Sequence, residues 1–89
     1  MTEQDYLNRI SAICSTYGAK KVLLFGSRAV GTNAPNSDFD IAVYGTDQVE
    51  TIREELDELP TLFSADVVDM ESCRNKALIE EVEKYGVPV

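Results

Sequence analysis

The stretch KVLLFGSRAVGTNAPNSDFDIAVY, residues 21–44, determines how this chain folds. It begins with a short apolar run from Lys21 to Phe25, which Gly26 and Ser27 follow directly. It ends with a segment from Asp38 to Tyr44 in which apolar residues alternate with others. A short apolar run bounded by glycine is typical of a buried strand, and alternation is typical of a strand with one face in the core. The stretch therefore predicts two strands, joined by a connection that opens with a glycine-serine turn.

The segments on either side of these strands predict three helices and a third strand. The helices are expected over residues 3–17 with Thr2 as the N-cap, over 47–58 after a Thr46 cap, and from a Ser72 cap to Tyr85. The third strand is expected over residues 65–70. One further helical turn is expected directly after Ser27. If the turn and the start of the second strand serve one site, the first two strands run antiparallel, whereas the helical crossover to the third predicts a parallel pair. The predicted fold class is α/β (α+β), a single small domain over residues 1–89 with a mixed β-sheet flanked by helices.

The composition excludes several classes of function. The 89 residues include 16 Asp and Glu against 8 Lys and Arg, and the net charge of -8 disfavours binding to nucleic acid or to an anionic membrane. The absence of histidine excludes Ser-His-Asp and Cys-His catalysis, and 2 cysteines are too few for a four-thiolate zinc site. No apolar run approaches the roughly 20 residues of a membrane helix, and no signal peptide is recognised, so a cytoplasmic location is expected. Carboxylates must carry any catalysis.

The Gly26-Ser27 turn is the first candidate for chemistry. Glycine lets the backbone bend and approach a ligand closely. Backbone N–H groups at a strand-to-helix turn bind anions, and the serine hydroxyl adds a donor. The alternative is an ordinary turn without a ligand, since such turns are common.

The pair Asp38 and Asp40 is the second candidate. Residues i and i+2 of a strand project to the same face, which places two carboxylates about 6–7 Å apart at the backbone. Like charges this close raise each other's pKa, and divalent cations such as Mg²⁺ relieve the repulsion. The alternative is a strand start with two solvated aspartates.

Asp66 is the third candidate, because it lies within the apolar segment that predicts the third strand. A lone carboxylate in a buried strand is costly unless it has a partner. Asp69 is the competing residue, but it lies three positions on and therefore on the opposite face of the strand. We interpret Asp69 as solvated or as a helix cap.

These three elements together resemble the signature of the DNA polymerase β-type nucleotidyltransferase superfamily. That signature is a Gly-Ser turn, a gap of about ten residues, Asp-x-Asp or Asp-x-Glu, and a third acid in a later strand. Here Gly26-Ser27 is followed by residues 28–37, by Asp38-Phe39-Asp40, and by Asp66 after one helix. The fuller string around the turn and the second strand is similar to the minimal nucleotidyltransferase branch. The resemblance implies a polymerase β-like core and covers most of the chain.

The resemblance also implies roles for these residues. Asp38, Asp40 and Asp66 would be catalytic and would hold two Mg²⁺ ions, with Asp66 helping to activate an acceptor hydroxyl. Gly26 and Ser27 would bind the β- and γ-phosphates of ATP, the nucleoside triphosphate substrate. The hydroxyl would attack the α-phosphate and release pyrophosphate.

Arg28 is a further candidate for nucleotide binding, because its guanidinium could neutralise phosphate charge. A surface salt bridge is the alternative for this side chain. The chain departs from many relatives at Val30, where they carry a second arginine, so no phosphate or partner contact is expected from that position.

The acceptor is expected to come from outside these 89 residues. Relatives of this size resemble antitoxins encoded beside a helical HEPN-family ribonuclease, and some transfer AMP to a tyrosine of that toxin. The resemblance thus implies an adenylyltransferase acting on a HEPN-type toxin as partner, with no direct role for nucleic acid. Two alternatives are the catalytic subunit of a two-chain transferase for a small molecule, and a non-catalytic antitoxin that acts by binding alone.

Overall fold

The computed structural model describes residues 1–89, which form a sheet with helices packed on both of its faces. In chain order the elements are α1 (Glu3–Thr16), β1 (Lys21–Phe25), α2 (Ser27–Val30), β2 (Phe39–Tyr44), α3 (Val49–Asp57), β3 (Ala65–Asp69), α4 (Lys76–Tyr85) and β4 (Val87–Pro88). The predicted single turn of helix after the first strand is confirmed as α2. None of the helices combines the length and the apolar character that crossing a bilayer requires.

The four strands follow the order β3-β2-β1-β4. The pair β1 and β2 is antiparallel, and β2 and β3 are parallel, so the predicted mixed sheet is confirmed. Strand β4 was not predicted; its two residues pair antiparallel with Leu23 and Leu24 of β1. A two-residue strand that contains Pro88 carries no alternating pattern, and only its position after α4 brings it to the sheet.

The two faces of the sheet are covered unequally. Alternate residues of β2 separate as predicted, with Phe39, Ile41 and Val43 on one face and Ala42 on the other. Helices α1 and α3 cover the first face with buried side chains from both, namely Tyr6, Ile10, Cys14, Val49, Ile52 and Leu56. Only α4 covers the second face, where Val82 packs on Leu23, Phe25 and Ala42. The second face therefore has room for a site beside α4.

The helix starts were predicted with mixed success. Thr2 and Asp5 form the expected capping box at α1. The predicted Thr46 cap is wrong, because the buried Thr46 hydroxyl donates to the Tyr17 carbonyl at 2.6 Å and accepts from the Gln48 N–H, and α3 begins only at Val49.

The predicted Ser72 cap is also wrong. Asn75 caps α4 by accepting from the Leu78 N–H at 3.2 Å. Ser72 instead belongs to a tight turn after β3, where its N–H donates to the Asp69 carbonyl. In both cases the hydroxyl found a partner within a turn, so the helix begins two or three residues later than the predicted cap implies.

Candidate active site

The Gly26-Ser27 turn lies where β1 ends and α2 begins. Gly26 has a φ of +75°, and a Cβ added there would lie 2.2 Å from Oδ2 of Asp40. Only glycine fits this position, because any side chain would push the carboxylate away. The Ser27 hydroxyl and the N–H groups of Ser27 and Arg28 donate to no group of the chain. The turn therefore presents three free donors beside a carboxylate, as an anion site requires.

The three predicted aspartates lie at the same end of the sheet as this turn. Asp38 directly precedes β2, and Asp40 and Asp66 are paired across the parallel strands β2 and β3. Asp40 is also the partner of Phe25 in the register of β1 and β2, which explains its closeness to the turn. The side chains of Asp40 and Asp66 project to the face that α4 covers, whereas Asp69 belongs to the opposite face, as predicted.

The expected burial of Asp66 is wrong. Its side chain is exposed near the start of β3, which is an edge strand of the sheet. The cost of a buried carboxylate therefore gave no valid reason to single out Asp66. What distinguishes this residue is its register opposite Asp40.

The carboxylates at this end of the sheet are crowded and lack cationic partners. Burial is the largest cause that raises the pKa of Asp40, followed by the negative charges of Asp66, Asp38 and Glu81. The ion pairs of the chain join Arg28 to Glu3 and Arg53 to Glu50, and none reaches these aspartates. Glu81 of α4 was missed by the sequence, because only the packing of α4 on the second face brings it near Asp40. The site thus holds an excess of negative charge in the absence of a bound cation.

Ser64 is another residue of the site that the sequence did not indicate. Its hydroxyl donates a short hydrogen bond to Oδ1 of Asp38, and its carbonyl accepts from the Phe39 N–H at 2.9 Å. Ser64 lies in the segment before β3, and nothing in its local sequence distinguishes it from an ordinary loop serine.

Arg28 does not behave as a surface side chain. Only 4% of it is exposed, and the alternative of a surface salt bridge is confirmed in part, because Nη1 pairs with the exposed Glu3 while the guanidinium itself is buried. Its Nε and Nη2 atoms donate to the Ser37 carbonyl at 2.9 and 2.7 Å, and Nη2 also donates to the Pro35 carbonyl at 3.1 Å. The guanidinium lies 3.9 Å from the centre of the Phe39 ring. Most donors of Arg28 are therefore engaged by the protein itself, and its role as a nucleotide ligand stays a prediction.

The residues of the site fit Mg²⁺ in their chemistry. Carboxylate oxygens are the ligands that this cation prefers. No group of three acidic, cysteine or histidine side chains is closed around a common point that could hold a metal ion. Asp40 nevertheless lies against the turn that offers donors to an anion, and a carboxylate beside a phosphate repels it unless a cation lies between them. Both the donor set and its position next to the turn therefore suit a divalent cation.

A cleft of about 540 Å³ adjoins the turn on the side of α4. Its lining residues are Gly26, Ser27, Val30, Thr32, Glu81 and Tyr85. The cleft mixes hydroxyl and carboxylate groups with an exposed aromatic ring and an exposed valine. Its volume falls within the range of small-molecule sites.

The fold and the site together define the class of this protein. A Gly-Ser turn lies beside an Asp-x-Asp strand, and a third aspartate lies on the parallel neighbouring strand. This arrangement suits the transfer of phosphate-containing groups, because the carboxylate oxygens can bind a cation next to the phosphates. The chain belongs to the polymerase β nucleotidyltransferase family, whose profile matches residues 8–89. It is therefore a nucleotidyltransferase with the polymerase β-like fold. A search of curated proteins gave no significant match.

Solved structures refine this assignment. A minimal nucleotidyltransferase is similar with a TM-score of 0.75 and 26% identity, over 100% of this chain and 97% of that one. A chain of a toxin-antitoxin complex crystallised with AMP-PNP has a TM-score of 0.74 and 27% identity, over 91% of this chain and 69% of that one. A chain of a mutant MntA-HpeT toxin-antitoxin complex has a TM-score of 0.72 and 29% identity over the same shares. The chain thus matches the minimal nucleotidyltransferase branch.

Proposed function

We propose that this chain is a Mg²⁺-dependent nucleotidyltransferase that transfers AMP from ATP to a hydroxyl of a partner protein, a HEPN-type ribonuclease toxin, and so acts as its antitoxin. The observation that carries the proposal is the contact between the Gly26 turn and Asp40, with Asp66 opposite on the next strand. This contact places donors for phosphate next to ligands for a cation, which is what a nucleoside triphosphate with its metal requires. We expect this chemistry in the cytoplasm, where both cysteines would remain the free thiols that the structure contains.

The nature of the acceptor is supported by exposure and charge. Asp38 and Asp66 are exposed, so an acceptor can approach this edge of the sheet from outside the chain. The net charge of -8 favours a partner with a basic face and disfavours nucleic acid. Two of the similar structures are toxin-antitoxin complexes, and one of these contains AMP-PNP. The mutant complex carries two Asp-to-Glu substitutions two residues apart, the spacing of Asp38 and Asp40.

The residues of the site have distinct roles in the proposed reaction. The free N–H groups of the turn and the Ser27 hydroxyl bind the β- and γ-phosphates and orient them. Asp38, Asp40 and Asp66 hold the Mg²⁺ ions, which neutralise charge that develops on the phosphate oxygens. The acceptor oxygen forms a bond to the α-phosphorus, the bond to the β-phosphate oxygen breaks, and pyrophosphate leaves. The exposed carboxylate of Asp66 is the group that we assign to accept the hydroxyl proton.

The proposal is tested by labelling the product of the adjacent reading frame with α-labelled ATP and Mg²⁺. We expect labelling by the wild type and none by the Asp38→Asn, Asp40→Asn double variant. Asp66→Asn should also abolish labelling, whereas Asp69→Asn is the matched control on the opposite face of the same strand and should retain it. AMP-PNP titrations with Mg²⁺ on the same proteins report whether the nucleotide site exists independently of any acceptor.

Different outcomes identify what would be wrong. Undiminished labelling by the double variant would refute the assignment of the aspartates. Nucleotide binding without labelling of the neighbour, together with transfer to an aminoglycoside-like alcohol, would replace the protein acceptor with a small molecule. Neutralisation of the toxin by the double variant would show that binding alone accounts for antitoxin action.

A further inference from the structure

Arg28 connects two parts of the site that are ten residues apart in sequence. It is the second residue of α2, directly after Ser27, and its side chain reaches back to the segment that leads into Asp38. There its guanidinium donates to the carbonyls of Pro35 and Ser37, at 2.7 to 3.1 Å. The residue that follows the phosphate-binding turn therefore holds the residues that precede the first metal-binding aspartate.

The environment of Arg28 makes this connection firm. The side chain is 96% buried, since only 4% of it is exposed, and it lies against the Phe39 ring at 3.9 Å. Glu3 at the start of α1 pairs with Nη1. Hydrogen bonds from a charged donor are roughly twice as strong as neutral ones, and the planar fork of arginine fixes direction as well as distance. A guanidinium buried in this way leaves its partners only at considerable cost.

The segment that Arg28 holds has little other support. Residues 31–38 contain no regular helix or strand. Within the segment, the Ala34 N–H donates to the Ser37 hydroxyl at 3.1 Å and the Ser37 N–H donates to the Ala34 carbonyl at 3.1 Å. These bonds close a local turn. The two ends of the segment are held by the Thr32 N–H, which donates to the Ser27 carbonyl, and by the Ser64 hydroxyl, which donates to Asp38. Between these ends, Arg28 supplies the attachment through the Pro35 and Ser37 carbonyls.

We propose that Arg28 is a positioning residue that fixes Asp38 relative to the Gly26-Ser27 turn, and that it acts through the Pro35 and Ser37 carbonyls rather than by contacting phosphate. The inference rests on the proposed nucleotidyl transfer. If reacting groups shift by about 1 Å, the rate falls by about 100-fold. Loosening residues 35–38 should therefore reduce kcat while the phosphates remain bound by the free donors of the turn.

The chain offers a matched control in Arg53. This side chain also donates through Nε and Nη2 to a single carbonyl, that of Val67, at 3.2 and 2.7 Å, and pairs with Glu50. The two arginines thus make the same kind of contact, but the carbonyl that Arg53 binds lies within β3, which pairing with β2 already holds in place, whereas residues 35–37 lie outside any strand. Lysine at either position keeps the charge and loses the fork.

The experiment compares Arg28→Lys with Arg53→Lys by hydrogen exchange, AMP-PNP titration with Mg²⁺, and steady-state transfer. For Arg28→Lys we expect faster exchange of the residue 33–39 amides, an AMP-PNP Kd within about threefold of the wild type and a kcat lower by about 100-fold. For Arg53→Lys we expect faster exchange near Val67 alone, with Kd and kcat unchanged. A large loss of AMP-PNP affinity with unchanged exchange in residues 33–39 would make Arg28 a phosphate ligand and overturn the proposal. If Arg28→Lys changes neither the exchange of these amides nor kcat, the proposal is also overturned.

A measurement on the wild type covers the case in which Arg28→Lys does not fold. The Nε–H of Arg28 should give a protected NMR signal that persists when AMP-PNP and Mg²⁺ are added, because its bond to the Ser37 carbonyl is retained. Loss or a large shift of this signal on nucleotide binding would show that the side chain leaves the segment, against the proposal. Hydrogen exchange and this NMR signal can be measured without nucleotidyl transfer, so they test the role of Arg28 by themselves. A failure of the proposed function would show instead as absent labelling by the wild type.

Discussion

The two ends of the sheet are built from similar parts and use them differently. The catalytic end contains Gly26 at the end of β1, and the opposite end contains Gly45 after β2. Both glycines have a positive φ, +75° and +82°, and in both a Cβ would collide with a neighbouring side chain. Both ends also carry carboxylates and a cleft, of about 540 Å³ and about 600 Å³ respectively.

The difference lies in which polar groups have partners. At the opposite end, Asp69 accepts from the Glu71 N–H at 3.0 Å, and the Thr46 hydroxyl both donates and accepts. At the catalytic end, Asp38 accepts from the Ser64 hydroxyl, but neither the Asp40 carboxylate nor the Ser27 hydroxyl has a hydrogen bond or an ion pair within the chain. Groups left without partners are costly for the fold, and such groups concentrate where a ligand binds. The comparison therefore separates an end that stabilises the sheet from one that is available for chemistry.

The largest effect is expected from substituting the two glycines. Gly26→Ala and Gly45→Ala each force an L side chain into a positive φ, at a cost of about 1–3 kcal/mol of folding stability. Gly26→Ala also displaces the Asp40 carboxylate, so transfer should fall by about 100-fold or more. In Gly45→Ala the collision is with the flexible Lys20 stem, 2.7 Å away, so transfer should be retained. Thermal melts and labelling assays measure both; equal loss of activity in the two variants would contradict the comparison.

The second effect concerns the hydroxyl groups at each end. Thr46→Val removes two hydrogen bonds of a residue that is only 8% exposed and strands the Tyr17 carbonyl, so the free energy of unfolding should fall by about 1–2 kcal/mol. Ser64→Ala removes one hydrogen bond from an exposed residue and should change the free energy of unfolding by about 0.5 kcal/mol at most. Transfer should respond in the reverse order, because only Ser64 contacts Asp38. Urea unfolding measures the stability and kcat measures the transfer. Slower transfer by Thr46→Val would contradict the division between a stabilising end and a catalytic end.

The smallest effect is a gain in stability from Asp40→Asn in the absence of Mg²⁺. Because the pKa of Asp40 is raised above its ordinary 3.8, the folded state binds more protons than the unfolded state over the pH range between these pKa values. Stability is therefore lost as the pH rises through that range. The Tm of Asp40→Asn should exceed that of the wild type by up to about 4 °C.

Asp69→Asn is the control for this gain, since it removes the same charge while an oxygen remains to accept from the Glu71 N–H. Its Tm should match that of the wild type. The advantage of Asp40→Asn should disappear below pH 3.8, where the wild-type carboxyl is protonated in both states. Scanning calorimetry across pH tests this, and a gain that persists in acid would exclude charge crowding as its cause.

Local pattern was sufficient to predict most of the fold. The bounds of β1 were confirmed to the residue, and β2 begins at Phe39, one residue later than predicted. The antiparallel and parallel pairings followed from the connections. The helix caps at Thr46 and Ser72 were wrong because turns competed for those hydroxyls. The strand β4 was missed because two residues are too few to show the alternation of apolar and polar residues that indicates a strand. Only the path of α4 brings these residues to β1.

The site was predictable where it depends on spacing along the chain, and not where it depends on packing. The turn and the aspartates are defined by sequence separation, and the structure brings them to one end of the sheet. Glu81 and Ser64 enter the site through the placement of α4 and of the segment before β3. The burial of Arg28 was equally invisible, because its carbonyl partners become available only when residues 35–37 fold back over α2.

The bond between Arg53 and Val67 has a consequence for how the molecule meets others. The Phe39 N–H donates to the Ser64 carbonyl, and the Met70 N–H donates to the Val43 carbonyl. The backbone N–H and C=O groups of even-numbered residues in β3 therefore point toward β2, and the Val67 carbonyl points toward the unpaired edge of the sheet, its open margin. Open margins recruit strands from other chains and seed aggregation, and a bound guanidinium obstructs that pairing. The other margin, β4, has two residues and a proline without an N–H. Both margins of the sheet therefore carry features that oppose the addition of a foreign strand.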